Sequence, residues 1–283
     1  MYEAYYKLRE KPFSILPDPE LIYWGANHRL AYAMLEFGVM NSAGFTVITG
    51  EIGSGKTTLV RYLLRKLDPN INVGVISNTP QGRKELLQWV MMSLNQPFDE
   101  KYSLLLFRFQ QYLRAQYAEQ RRTLLIIDEA QNLQPEALET LRMLSNINAD
   151  KDQFLQLILV GQPQLKKLLC SPDLVQFAQR ISADFHLKPL SASDVTAYID
   201  YRLKAVGARS SLFSDEACAA IADASAGIPR TINILCDTAL VYGFATRSNL
   251  ITKELVDLVI DDKRNFGIFD RSPHRVEKTA DSK

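Results

Sequence analysis

The sequence has no surplus of charge of either sign. Its 33 Lys and Arg residues face 32 Asp and Glu, a formal net charge of +1. No whole-molecule field therefore draws the chain to nucleic acid, and only a local basic patch could. Cysteine is scarce as well: Cys170, Cys218 and Cys236 are odd in number, far apart and without metal-ligand spacing. That excludes a disulfide scaffold and reads as reduced, mostly buried thiols. Apolar runs are short, with stretches such as Leu124–Ile127 only strand-sized, far below the roughly 18 residues that a bilayer-spanning helix needs. The opening Met1-Tyr2-Glu3-Ala4-Tyr5-Tyr6 has neither a basic nor an apolar leader segment, so secretion by a cleaved signal is not expected. No solenoid-length repeat or low-complexity tract occurs. The expectation is a cytoplasmic globular protein without membrane insertion, peripheral to an inner membrane only through a partner.

What is present is ordinary in bulk and specific in detail. With 283 residues, 47% hydrophobic and 23% charged, the chain can form one large or two modest domains. Gly50-Glu51-Ile52-Gly53-Ser54-Gly55-Lys56-Thr57 fits the phosphate-loop pattern G-x-x-x-x-G-K-[ST]. It follows the β-branched run Phe45–Thr49 and opens a helical pattern from Thr58 to Leu67. Glycines at 50, 53 and 55 allow consecutive N–H groups to turn toward a polyphosphate, and the helix N-terminus adds its positive end. Residues Gly50 to Thr58 are the candidate nucleotide-binding stretch. Within it Lys56 would reach the β- and γ-phosphates, and the Thr57 hydroxyl would ligate Mg²⁺.

A second landmark is Leu124-Leu125-Ile126-Ile127-Asp128-Glu129. Four consecutive apolar residues fit a strand buried on both faces, and its carboxylates sit where open α/β sheets bind ligands. Asp128 would hold Mg²⁺ and Glu129 would polarise the water attacking a γ-phosphate. The run Phe154–Val160 reads as another buried strand ending at Gly161-Gln162-Pro163. Gln162 either sits between the carboxylates and the γ-phosphate or is a turn residue. Arg180 precedes the strand candidate Ile181–Leu187; it can face a helix dipole, or reach a neighbouring subunit's nucleotide as a finger.

Residues 1–24 combine aromatics with Pro12, Pro17 and Pro19, a helix-breaking spacing that leaves an extended strap. Pro12 and Phe13 either wall a purine pocket or only pack. Arg121-Arg122 reads as a solvated turn. Near residue 190 strand–helix alternation gives way to helices alone, at about Ser193–Ala205, Ser214–Ala226, Pro229–Thr246 and Lys253–Asp261. Arg230 opens the third of these, where a lid helix would direct a cation at the γ-phosphate; a surface arginine there would be disfavoured by the dipole. Residues 264–283 are charged, aperiodic and contain Pro273, reading as a disordered tail or the cut end of a longer protein.

Together Tyr6-Lys7-Leu8-Arg9-Glu10-Lys11-Pro12-Phe13, Asp128-Glu129-Ala130-Gln131, Gly161-Gln162-Pro163-Gln164-Leu165, Gln179-Arg180-Ile181 and Gly227-Ile228-Pro229-Arg230-Thr231-Ile232-Asn233 resemble the AAA+ ATPases of the general secretion pathway protein A type. The resemblance covers roughly residues 1–262. It implies an α/β fold, with a five-stranded parallel sheet and a small all-helical lid. The expected division is a nucleotide-binding core with its strap over residues 1–190, a lid over 191–262 and a tail over 263–283. It further implies Mg-ATP hydrolysis with ATP held between subunits of a ring or filament, and an envelope, secretion or exopolysaccharide system as partner. Lys56 and Thr57 carry over as the Walker A pair, Asp128 and Glu129 as Walker B, Gln162 as sensor 1, Arg180 as finger and Arg230 as sensor 2. Secretion members often continue into a transmembrane helix and a peptidoglycan-binding region, where this sequence has its charged tail. The alternative is a DNA-binding target-selection ATPase of the transposon kind, against which the near-neutral charge argues. A non-hydrolysing scaffold has no need of Glu129.

Overall fold

The computed structural model describes residues 1–266 apart from 42, 78–79, 81, 99–100 and 150–151. Within them the chain forms two compact units, residues 16–189 and residues 1–15 with 190 onward.

The larger unit is built on strands whose sequences leave no polar face. β1 (Phe45–Gly50), β3 (Arg122–Ile127) and β6 (Leu155–Gly161) are buried almost throughout, as parallel strands covered by helices on both sides must be. With β2 (Ile71–Ile76) and β7 (Ile181–Leu187) they form one five-stranded sheet in the order β2-β3-β6-β1-β7. Every pairing is parallel. A separate two-stranded hairpin joins β4 (Asn148–Ala149) to β5 (Asp152–Gln153).

Because side chains alternate along a strand, the sheet feeds two cores. Ile48, Leu124, Ile126, Ile158 and Val160 pack with Ala31, Leu35 and Val39 of α2 (Ala26–Met40) and Leu59, Val60 and Leu63 of α3 (Lys56–Lys66). Phe45, Val47, Leu125, Ile127, Leu157 and Leu159 face the other way. They meet α4 (Arg83–Ser93), α5 (Tyr102–Ala118), α6 (Pro135–Leu144), α7 (Pro163–Leu169) and α8 (Val175–Ala178). Arg122, read from sequence as a turn residue, instead opens β3, and its guanidinium donates to the Val39 carbonyl at 3.0 Å. The strand's pairing with β2 begins two residues earlier than its apolar run suggests.

The smaller unit packs α1 (Tyr2–Tyr5) with α9 (Ala192–Ala205), α10 (Asp215–Ser225), α11 (Pro229–Ala245) and α12 (Lys253–Phe266). Ser191 and Ser214 cap α9 and α10 by accepting from N–H groups three residues on, as their types favour. The expected strap divides. Residues 1–15 belong to this helical unit, where Arg202 Nε donates to the Pro12 carbonyl at 2.6 Å and Asn233 Nδ2 to the Ser14 carbonyl at 2.9 Å. Residues from Leu16 run over α3 of the larger unit, where Arg61 donates to the Pro17 carbonyl at 3.3 Å. The last helix also carries further than its apolar pattern, through Phe266, into what reads as tail. The rest of that tail, 267–283, lies outside the described residues.

Candidate functional site

β1 delivers the glycine-rich loop to the C-terminal edge of the sheet. Gly53 (φ 80°) and Gly55 (φ 102°) take left-handed backbone that side chains resist, and a Cβ at Gly50 would lie 2.9 Å from Ser54 Oγ and 2.8 Å from the Leu187 carbonyl. The loop therefore closes tightly before α3 begins at Lys56. From α2, the buried His28 sets Nε2 3.2 Å from the Ser54 carbonyl and braces the loop from behind.

Lys56 is only 6% exposed, and its Nζ donates to the Gly50 and Glu51 carbonyls, each at 2.8 Å. Desolvation pulls its pKa below the usual lysine value, against the opposing pull of Glu129, Asp128 and Glu51. A desolvated ammonium facing neutral main-chain carbonyls is matched to an anionic ligand. Ser54 Oγ, also buried, has no hydrogen-bond partner among the described residues. Both features fit a polyphosphate laid against the loop.

β3 brings the acids to the same edge. Thr57 Oγ1 donates to Asp128 Oδ2 at 3.0 Å, so the two expected Mg²⁺ ligands already meet. Among the described residues no group of three or more His, Cys, Asp or Glu is poised for a metal. Thr57 and Asp128 would thus hold Mg²⁺ together with substrate oxygens, a chemistry their hard oxygen donors suit. Glu129 follows with φ 53° and ψ 34°, a left-handed turn that ends the strand and exposes its carboxylate. From the neighbouring strand β6, Gln162 Nε2 donates to Glu129 Oε2 at 3.2 Å. Gln162 also starts α7, so it is a turn residue and a neighbour of the acid at once.

One residue that sequence reasoning quoted only within a motif completes the cluster. Gln131 Nε2 donates to Glu129 Oε2 at 2.6 Å, while its Oε1 accepts the Gln162 backbone N–H at 2.9 Å. Its spacing gave no hint of this, because the partner lies on a strand 31 residues away.

Four other candidates are held as follows. Phe13 is 1% exposed and packs edge-on against Phe213, and Pro12 is buried beside Arg202. Both serve the core of the helical unit, and a fully covered ring has no face left to stack on a purine. Arg230 is exposed in the first turn of α11, in the helical unit. Arg180 lies at the opposite edge of the sheet from the glycine-rich loop. It precedes Ile181, which pairs with Phe45 at the start of β1, whereas the loop follows Gly50 at its end. Five residues of strand, roughly 17 Å, separate the two. There Arg180 Nη1 donates to Ser145 Oγ at 3.1 Å and lines a cavity of about 370 Å³ with Gly44, Gln153 and Ser182.

Residues 39–169 match the family model described as AAA domain. The parallel sheet, the loop and the acidic strand end define the chain as a P-loop protein of the AAA class, followed by a helical region. Solved structures share this fold. Cdc6p from Pyrobaculum aerophilum is 16% identical with a TM-score of 0.64, covering 84% of this chain and 69% of that one. The Aeropyrum pernix ORC2 protein is 17% identical with a TM-score of 0.61, covering 83% and 66%. The likeness to the general secretion pathway protein A type extends over most of the chain. It is 40% identical over 253 residues, 89% of this chain, to General secretion pathway protein A of Aeromonas hydrophila. It spans 46% of that protein's length. No helix among the described residues is long and apolar enough to cross a membrane.

Proposed function

We propose that the chain binds and hydrolyses Mg-ATP, works as an oligomer, and energises or regulates assembly of a bacterial envelope, secretion or exopolysaccharide system. The observation that carries the enzymatic part is the convergence of Lys56, Thr57, Asp128, Glu129 and Gln162 at the C-terminal edge of β1, β3 and β6. The pathway rests on the likeness to General secretion pathway protein A.

In this reading the loop N–H groups and Lys56 hold the phosphates, and Lys56 turns from the Gly50 and Glu51 carbonyls toward them. Thr57 and Asp128 would hold Mg²⁺, which would supply charge neutralisation. Glu129 accepts a proton as water attacks the γ-phosphorus in line. The new P–O bond forms as the bond to the β,γ-bridging oxygen breaks, leaving ADP and phosphate. Gln162 orients the γ-phosphate side of the site, and Arg230 is the cation through which the helical unit reads the nucleotide. Arg180 is too far along its own sheet to reach its own loop, which favours action in a neighbour's site.

The test is ATPase rate against protein concentration, with and without duplex DNA, for wild type, Glu129→Gln and Arg180→Ala. Specific activity should climb with concentration. Glu129→Gln should cut turnover to a small but measurable residual rate, and Arg180→Ala should remove the climb while nucleotide still binds. Turnover independent of concentration and untouched by Arg180→Ala would overturn the oligomeric reading. Stimulation by DNA would move the assignment to target selection on duplex DNA.

A further inference from the structure

We infer that Gln131 is a positioning residue for hydrolysis, the tie that fixes the Glu129 carboxylate to the end of the neighbouring strand. The inference rests on the hydrolytic reading above and adds a residue to it. Glu129 needs such a tie. It is exposed and sits on a left-handed turn beyond the strand, and the hydrogen bonds to its carboxylate come from Gln131 and Gln162. A general base works only within hydrogen-bond reach of the proton it takes, and small misplacement is costly.

The orientation of the Gln131 amide follows from chemistry. The Gln162 backbone N–H can only donate, so the group 2.9 Å from it must be the amide oxygen. The other end is then the NH₂, directed 2.6 Å onto Glu129 Oε2. One planar group thus spans from the main chain of β6 to the carboxylate. Room for it depends on Gly161, where a Cβ would lie 2.9 Å from Gln131 Oε1. Gln162 also donates to the same oxygen, more loosely at 3.2 Å, but its side chain has the γ-phosphate to answer to. Gln131 has no such second duty and can hold Glu129 throughout.

The experiment measures kcat and KM for Mg-ATP on the full chain, at a concentration where wild-type specific activity has levelled off. The set is wild type, Gln131→Ala, Gln131→Glu, Glu129→Gln and the double variant Glu129→Gln/Gln131→Ala. Gln131→Ala should lower kcat about 10- to 100-fold with KM within about 2-fold. In the Glu129→Gln background it should cost nothing further, because its effect runs through Glu129. Gln131→Glu keeps the acceptor for the Gln162 N–H, and so guards against a folding defect, but swaps the donor for a like charge. It should match the alanine loss in kcat, with KM again within about 2-fold. Unchanged kcat in Gln131→Ala, an equal further loss in the Glu129→Gln background, or a wild-type kcat in Gln131→Glu each overturns the inference alone. A wild type that binds but never turns over Mg-ATP overturns the hydrolytic reading and this one with it.

Discussion

Replacing Lys56 by methionine should leave the protein without nucleotide nearly as stable as wild type, while removing the stabilisation that nucleotide confers. Methionine keeps the apolar stem and deletes the charge. What is lost is two charge-assisted bonds, to the Gly50 and Glu51 carbonyls, each worth about 1.5–3 kcal/mol. What is relieved is the desolvation of a buried ammonium, which at several kcal/mol is of similar size. The lowered pKa of Lys56 fixes the sign of that second term. A base whose folded pKa lies below its unfolded one binds its proton less well when folded, so at neutral pH the charge works against the fold. That penalty fades only as pH rises through the folded value toward the ordinary lysine range. The two terms offset to within about 1 kcal/mol, or about 2–4 °C in Tm for a unit of this size. Nucleotide at one hundred times its Kd stabilises wild type by about 2.7 kcal/mol, hence roughly 5–10 °C. Thermal unfolding with and without Mg-ATP reads both quantities at once. A variant that keeps the full nucleotide shift would refute Lys56 as the phosphate contact. A drop of more than about 3 kcal/mol without nucleotide would show that Lys56 holds the loop together instead.

Other outcomes test the two units separately. Gly227→Ala should destabilise the helical unit by about 2–3 kcal/mol in urea unfolding, because φ is 71° and the new methyl would strike the Leu190 main chain. Tyr198→Phe should cost about 1–3 kcal/mol in the same assay. The buried Asn233 Oδ1 loses the hydroxyl that donates to it at 2.7 Å. Thiol titration of the native protein should find one fast cysteine and, after denaturation, three. Cys170 is exposed, whereas burial pushes the Cys218 thiol up to about 11 and Cys236 well above its ordinary value.

Much of the larger unit was legible because its strands are apolar on both faces. Phe45–Thr49, Leu124–Ile127 and Phe154–Val160 each read as buried strands without ambiguity, and the phosphate loop and acid pair sit at their ends by sequence alone. What failed was the fate of segments held by long-range contacts. Phe13 looks free to stack on a base until Phe213, two hundred residues on, covers it. The strap reads as one piece, yet Pro12 and Ser14 satisfy donors from α9 and α11 while Pro17 satisfies Arg61 of α3. Nothing local in Pro-x-Pro distinguishes those partners. The α7 helix after Gln162 was missed because its seven residues are shorter than any periodic signal needs.

The strand order explains why one site residue was found by position and another was not. β6 is sixth in sequence but lies between β1 and β3. Its end therefore emerges between the phosphate loop on one side and the acid pair on the other. Any polar residue following β6 must stand beside both, so Gln162 could be picked out from the strand end alone. Gln131 follows β3 by four residues and points back across that same seam, to a backbone N–H whose neighbourhood exists only once β6 is inserted. The glycine that makes room for it, Gly161, belongs to β6 and not to the segment that carries Gln131. Gly161→Ala is therefore the remote counterpart of Gln131→Ala. It should press on the same amide and lower kcat in the same direction, although it alters no group on the acidic turn. If instead it leaves kcat unchanged while Gln131→Ala lowers it, the amide has slack at that edge, and the backbone tie to Gln162 is not what sets the position of Glu129.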